Sequence, residues 1–116
     1  MVGICWDTGH ANQNGFDQSR ALKAVGSRLR VLHLNDNHYG IRDEHLVPYM
    51  GEIDWAHTME TLAEIGYSGT LNLEVGKVAR RLPEGSFKDT GVRLIYEAGA
   101  ALRELFEKAA EQNKNA

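Results

Sequence analysis

A single cysteine, two prolines and no long apolar run set the first limits on this 116-residue chain. One thiol cannot close an internal disulfide. Cys5, inside an apolar stretch, is therefore expected to be a buried thiol in a reducing compartment. Pro48 and Pro83 both fall in irregular stretches. No apolar run reaches the roughly 20 residues that span a bilayer, and no charged-then-apolar leader precedes Val2. Positive charge is scarce as well: 13 Lys and Arg stand against 16 Asp and Glu, for a net charge of −3. The one basic cluster is Arg80-Arg81 with Lys77 just before it. Binding to a phosphate backbone needs clustered cations, so no general affinity for nucleic acid or anionic membrane is expected. These absences predict a cytoplasmic protein without a membrane partner.

What remains is ordinary globular composition, 42% hydrophobic and 25% charged, at the size of one domain covering residues 1–116. Short β-rich runs at residues 2–6, 29–32 and 70–73 alternate with helical stretches, which predicts an α/β protein of parallel βα units. Asp17 is expected to cap a helix through Ala21, Leu22 and Val25 that stops at Gly26, with a loop over residues 8–15 before it. Residues 37–53 show neither helical nor strand period and read as a long loop, a length that compact domains usually reserve for binding. Asp54 should cap a helix carrying Trp55, Met59, Leu62 and Ile65, with Gly66 at its end. Ser86 should cap a last helix to about Gln112, with Leu94, Ile95, Ala98, Leu102, Leu105, Phe106 and Ala109 on one face and a frayed end after it.

Parallel βα units open the carboxyl ends of all their strands onto one rim. Asp7, His33 and Glu74 end or follow the three runs and so are expected to meet there. Asp, Glu and His suit zinc, manganese, cobalt or magnesium, and one ligand per strand leaves positions open for water and substrate. Each residue taken singly has a plainer explanation, a turn former or helix cap for the Asp and a hydrogen-bonded structural residue for the His. Three equivalent positions favour a shared metal. A second group is His10, three residues past Asp7, with Asp43 and His45 on one side of a locally extended loop, suited to a second metal or to substrate hydroxyls. Trp55 and Tyr67 read as core, and His38 and His57 as loop and helix surface.

The segments Cys5-Trp6-Asp7-Thr8-Gly9-His10, His33-Leu34-Asn35-Asp36-Asn37, Asp43-Glu44-His45, Gly51-Glu52-Ile53-Asp54-Trp55, Gly66-Tyr67-Ser68-Gly69 and Leu73-Glu74, in this order, resemble the xylose isomerase-like TIM-barrel superfamily. Within it the chain is most similar to the sugar phosphate isomerase/epimerase group. The resemblance spans residues 2 to about 106 and implies the carboxyl-terminal three-eighths of a (β/α)8 barrel. It also implies a divalent metal held by Glu, Asp, His and Glu, of which Asp7, His33 and Glu74 match the last three and the first Glu has no counterpart. The implied activity is isomerisation or epimerisation of a sugar, sugar phosphate or polyol through an enediolate. Glu74 would be one of two acid/base groups, and His10, Asp43 and His45 would serve substrate or a further metal.

The related endonuclease IV branch uses a similar Asp-x-x-His, His-Leu-Asn-Asp and Asp-x-His set, so an abasic-site phosphodiesterase is an alternative, as is a non-catalytic truncated module. Three βα units cannot close a barrel. The chain is therefore expected to be a fragment, to self-associate or to pair with a complementing chain. Alone it should bind metal weakly and turn over little.

Overall fold

A computed structural model describes residues 1–116. Two parallel strands lie side by side, β1 (Ile4–Asp7) and β2 (Leu29–His33), with Cys5 opposite Val31, Trp6 opposite Leu32 and Asp7 opposite His33. The third run is extended only where it meets β2. Leu34 and Leu73 form an isolated parallel bridge, with the Leu34 N–H donating to Asn72 O at 2.8 Å and the Glu74 N–H to Leu34 O at 2.9 Å. With this single bridge, residues 70–73 make no full strand.

Four α-helices follow: α1 (Thr8–Gln13), α2 (Gln18–Val25), α3 (Trp55–Glu64) and α4 (Val92–Lys114). The expected loop over residues 8–15 is thus largely helix. Asp7 starts it by accepting the His10 N–H at 2.9 Å, and Thr8, Gly9 and Ala11 form its buried side. The Asp17 and Asp54 caps are as expected, each accepting an N–H three residues on. Gly26 ends α2 at φ 54° and Gly66 follows α3 at φ 72°, a region that glycine enters without a Cβ penalty. Ser86 caps through its carbonyl rather than its hydroxyl, opening a single π-turn (Phe87–Gly91) ahead of α4. The last helix then continues to Lys114, two residues beyond expectation.

Alternation along the strands sends Trp6, Leu32 and Leu34 toward the helices, where Leu22, Met59, Leu62 and Leu102 meet them in a core completed by Trp55, Ile53 and Tyr67. Fully burying such side chains stabilises by roughly 1.5–3 kcal/mol each. A smaller cluster of Val47, Val75, Val78 and Ala98 lies under the segment after residue 74. The opposite sheet face, carrying Cys5, Val31, Asp7 and His33, has no layer over it: Val31 is 45% exposed, and Cys5 is exposed rather than buried. The apolar run around Cys5 misled because only one of its faces is covered. No helix of the chain is long and apolar enough to cross a membrane.

Candidate active site

Asp36 organises the rim. Fully buried three residues past the end of β2, its carboxylate accepts four donors: the N–H groups of Asn37 at 2.9 Å and Ile53 at 3.1 Å on one oxygen, and Tyr49 N–H at 3.0 Å and Trp55 Nε1–H at 2.8 Å on the other. Its backbone pairs with Leu46 in both directions, at 2.8 and 2.9 Å. One side chain thereby pins both ends of the loop over residues 37–53, with no helix or strand inside it. Neighbouring polar residues tie this loop to α1: Thr8 Oγ1 donates to Asn35 O at 2.8 Å, Asn37 Nδ2 to Gly9 O at 2.7 Å and Asn12 Nδ2 to Asn37 Oδ1 at 2.8 Å.

On that scaffold the six expected site residues close into one ring in which carboxylates and imidazoles alternate. Asp7 Oδ2 lies 3.2 Å from His10 Nδ1, His10 Nε2 3.6 Å from Asp43 Oδ2, and Asp43 Oδ2 2.9 Å from His45 Nε2. His45 Nδ1 lies 3.8 Å from Glu74 Oε2, Glu74 Oε2 3.5 Å from His33 Nδ1, and His33 Nδ1 3.9 Å from Asp7 Oδ2. The ring contains both expected trios, Asp7 with His33 and Glu74, and His10 with Asp43 and His45; in each, potential ligand atoms lie within 4.8 Å of one another.

Asp7 answers to both of its explanations at once. Oδ1 caps α1 and also accepts Asn35 Nδ2 at 3.3 Å, while Oδ2 faces the imidazoles. His45 reaches the ring differently from the expected extended loop. Its backbone is left-handed at φ 50°, a conformation that costs a non-glycine residue about 1–2 kcal/mol and turns the imidazole back between Asp43 and the Glu74 carbonyl.

Both His45 nitrogens thus face acceptors, Glu74 O at 3.0 Å and Asp43 Oδ2 at 2.9 Å. Burial disfavours its charged form, yet these two hydrogen bonds and the Asp43 charge outweigh burial and raise its pKa above the ordinary histidine value. Burial likewise pushes Asp43 upward, but the His45 hydrogen bond and the charges of His45, Lys77 and His10 hold it below the usual carboxylate range. Although Cys5 is exposed, partial desolvation by its neighbours first and then the negative charges of Asp7 and Glu74 raise the thiol.

The donor set fits a divalent cation by its chemistry: hard carboxylate oxygens and imidazole nitrogens, gathered closely and open on the uncovered side of the sheet. A further sign is Asp43 Oδ1, a buried oxygen that accepts no hydrogen bond. The remaining sequence candidates divide as expected. Trp55 and Tyr67 are core, His57 is exposed on α3, and His38 is a loop residue held by Glu44 at 2.9 Å. The residue that sequence reasoning passed over is Asp36: its motif was visible, but its partners stand up to 19 positions away.

A family model described as a xylose isomerase-like TIM barrel matches residues 1–97. The chain belongs to that family. Among curated relatives, the uncharacterized protein y4fM of Sinorhizobium fredii is 34% identical over 87 residues, covering 75% of this chain and 28% of that protein. The D-psicose 3-epimerase of Enterocloster bolteae is 33% identical over 73 residues, 63% of this chain and 22% of the epimerase. A crystal structure of a D-tagatose 3-epimerase-like protein superposes with a TM-score of 0.68 at 26% identity, covering 95% of this chain and 36% of that one. This xylose isomerase-like chain is therefore a partial TIM-barrel unit, spanning little more than a third, or less, of the length of the proteins it matches.

Proposed function

We propose that this chain carries part of the active site of a divalent-metal-dependent ketose epimerase. The reading rests above all on the closed ring of Asp7, His10, Asp43, His45, Glu74 and His33, supported by the two epimerase-named relatives. Asp7, His33 and Glu74 would hold the cation, which supplies Lewis-acid stabilisation of the charge that develops on substrate oxygens. Epimerisation beside a ketone removes a proton from the carbon next to the carbonyl and returns one from the other face. Glu74 is the base on one face, its carboxylate half-exposed toward the open side. A second acid on the opposite face is also needed, and a Glu from outside these three βα units fills that role. His10, more than half exposed at the rim, hydrogen-bonds a sugar hydroxyl, with Asp43 and His45 behind it.

The test is hydrogen exchange in deuterated water at carbon 3 of D-psicose and D-tagatose, followed by NMR with added manganese. A protein holding this chain within a complete barrel is expected to wash in deuterium, and its Glu74→Gln variant to lose at least a thousandfold in rate. Exchange that survives the substitution would overturn the role of Glu74.

A second reading is favoured by one observation, the compact His10, Asp43 and His45 trio, which suits a second cation and hence a metal-dependent phosphodiesterase of the abasic-site type. Cleavage of abasic-site DNA without any ketose exchange would select it. We also propose that further βα units, from the same or another chain, cover the open sheet face around Cys5 and Val31 and the groove of about 600 Å³ beside α4 lined by Leu71, Leu73, Ile95 and Phe106. The 116-residue chain is accordingly expected to associate in sedimentation. A sharp monomeric boundary together with cooperative unfolding would contradict this.

A further inference from the structure

Two buried side-chain oxygens in this chain accept no hydrogen bond, and both lie at the ring: Asp43 Oδ1 and Asn35 Oδ1. Asn35 is fully buried two residues past His33, so its unpaired carbonyl carries a cost that something else must offset. Its other end shows what does so. Asn35 Nδ2 donates to Asp7 Oδ1 at 3.3 Å, the same oxygen that accepts the His10 N–H at 2.9 Å. Turning the amide over would set its oxygen against a carboxylate oxygen, so the charge on Asp7 holds the orphan carbonyl where it is. That carbonyl lies against Gly9, where a Cβ would overlap Asn35 Oδ1. Gly9 stands inside α1, where alanine is ordinarily the better helix former, and its missing side chain leaves the space that Asn35 fills. Thr8 fixes the amide from behind. Because Thr8 begins α1, its backbone leaves the strand ladder and its hydroxyl takes the next rung: Oγ1 donates to Asn35 O at 2.8 Å and accepts the Asn35 N–H at 3.1 Å.

We infer that Asn35 is a positioning residue for the cation site, holding Asp7 by Oδ1 so that Oδ2 alone is presented to the ion; for the ion itself this rests on the metal-site reading above. A carboxylate capped by a single N–H can still turn about its Cβ–Cγ bond and offer either oxygen, whereas a second donor from another element fixes its plane. Asn35 is that donor. With Oδ1 engaged twice, Oδ2 is left facing His10 Nδ1 at 3.2 Å and His33 Nδ1 at 3.9 Å. An Asp7 that binds through one oxygen takes one coordination position instead of two, which keeps room beside the ion for substrate oxygens. The same residue couples two strand ends. Its backbone is bonded to Thr8, next to Asp7, and stands two positions beyond His33, so one side chain and its main chain set how Asp7 lies relative to His33. A buried polar group that costs stability while orienting a ligand marks a site residue rather than a packing residue.

Manganese is the probe, titrated calorimetrically into the 116-residue chain, with urea unfolding followed in parallel. Asn35→Ala is expected to bind manganese at least about tenfold more weakly than the parent. Gly9→Ala should do the same and also lower the urea midpoint, because its methyl displaces the amide from Asp7. The double variant Gly9→Ala/Asn35→Ala separates positioning from packing, since the added methyl then occupies space that the amide has vacated. Its urea midpoint should recover about half or more of the Gly9→Ala loss, while its manganese affinity stays about tenfold below the parent. Affinity that recovers together with stability, or an Asn35→Ala variant that binds within about twofold of the parent, would overturn the inference and leave the metal site standing. The side-chain amide protons of Asn35 give a second readout by NMR without any metal. They should shift in Asp7→Asn, where the acceptor loses its charge, and the absence of a shift would likewise overturn the inference. A parent chain that binds no manganese while this shift is present rejects the cation and keeps Asn35 as the residue that orients Asp7.

Discussion

Replacing Asp36 by alanine is expected to destabilise this chain by about 4 kcal/mol, near the top of what single substitutions do. The reason is the number of donors it satisfies. Asn37, Tyr49 and Ile53 N–H groups and the Trp55 indole all point at one fully buried carboxylate. Truncation leaves these donors without an acceptor, and each buried unsatisfied group costs roughly 1–3 kcal/mol, less where the loop can relax toward water. Asp36→Asn keeps one acceptor oxygen and should cost about half as much. Urea unfolding reads the loss directly, and a change below about 1 kcal/mol for Asp36→Ala would contradict the role assigned to it. The effect should also be local, because the loop it pins carries Asp43 and His45. Amide exchange across residues 37–53 is accordingly expected to quicken before the rest of the chain does.

The second large effect concerns cation affinity. His33→Ala or Glu74→Ala should weaken manganese or zinc binding by on the order of a hundredfold or more, since loss of even an outer-shell partner of a metal site costs 10–100-fold. Asp7 needs a subtler change, because alanine would also remove the α1 cap. Asp7→Asn retains an oxygen for the His10 N–H and removes the charge facing His10 and His33, so it isolates the ligand role. Its loss of affinity should approach that of His33→Ala with the helical signal intact. His57→Ala, exposed on α3 and facing Glu60 rather than any ring residue, should change nothing. Calorimetric titration of the four variants checks this, and equal affinity across them would contradict the site.

Much of the fold was readable because its signals are local. Short β-rich runs placed β1 and β2 to within two residues, and Asp17, Asp54 and the glycines at 26 and 66 marked α2 and α3 by cap chemistry that acts over three or four positions. The site residues were readable for a related reason: topology delivers strand ends to one rim whatever lies between them. Four features were not. Residues 8–13 lack an apolar stripe, so nothing but Asp7 signalled α1. Cys5 looked buried because a sequence does not show which face of a strand goes uncovered. Asp36, and the left-handed turn that brings His45 into the ring, depend on partners 13 to 29 positions away, where no local pattern reaches.

The most direct test is a crystal of the chain grown with zinc and measured at the zinc absorption edge. One anomalous peak is predicted about 2.0–2.2 Å from a carboxylate oxygen of Asp7, a ring nitrogen of His33 and a carboxylate oxygen of Glu74. Zinc bound only elsewhere, or touching no more than one of these three side chains, would contradict the proposal that the three strand ends form a single metal site.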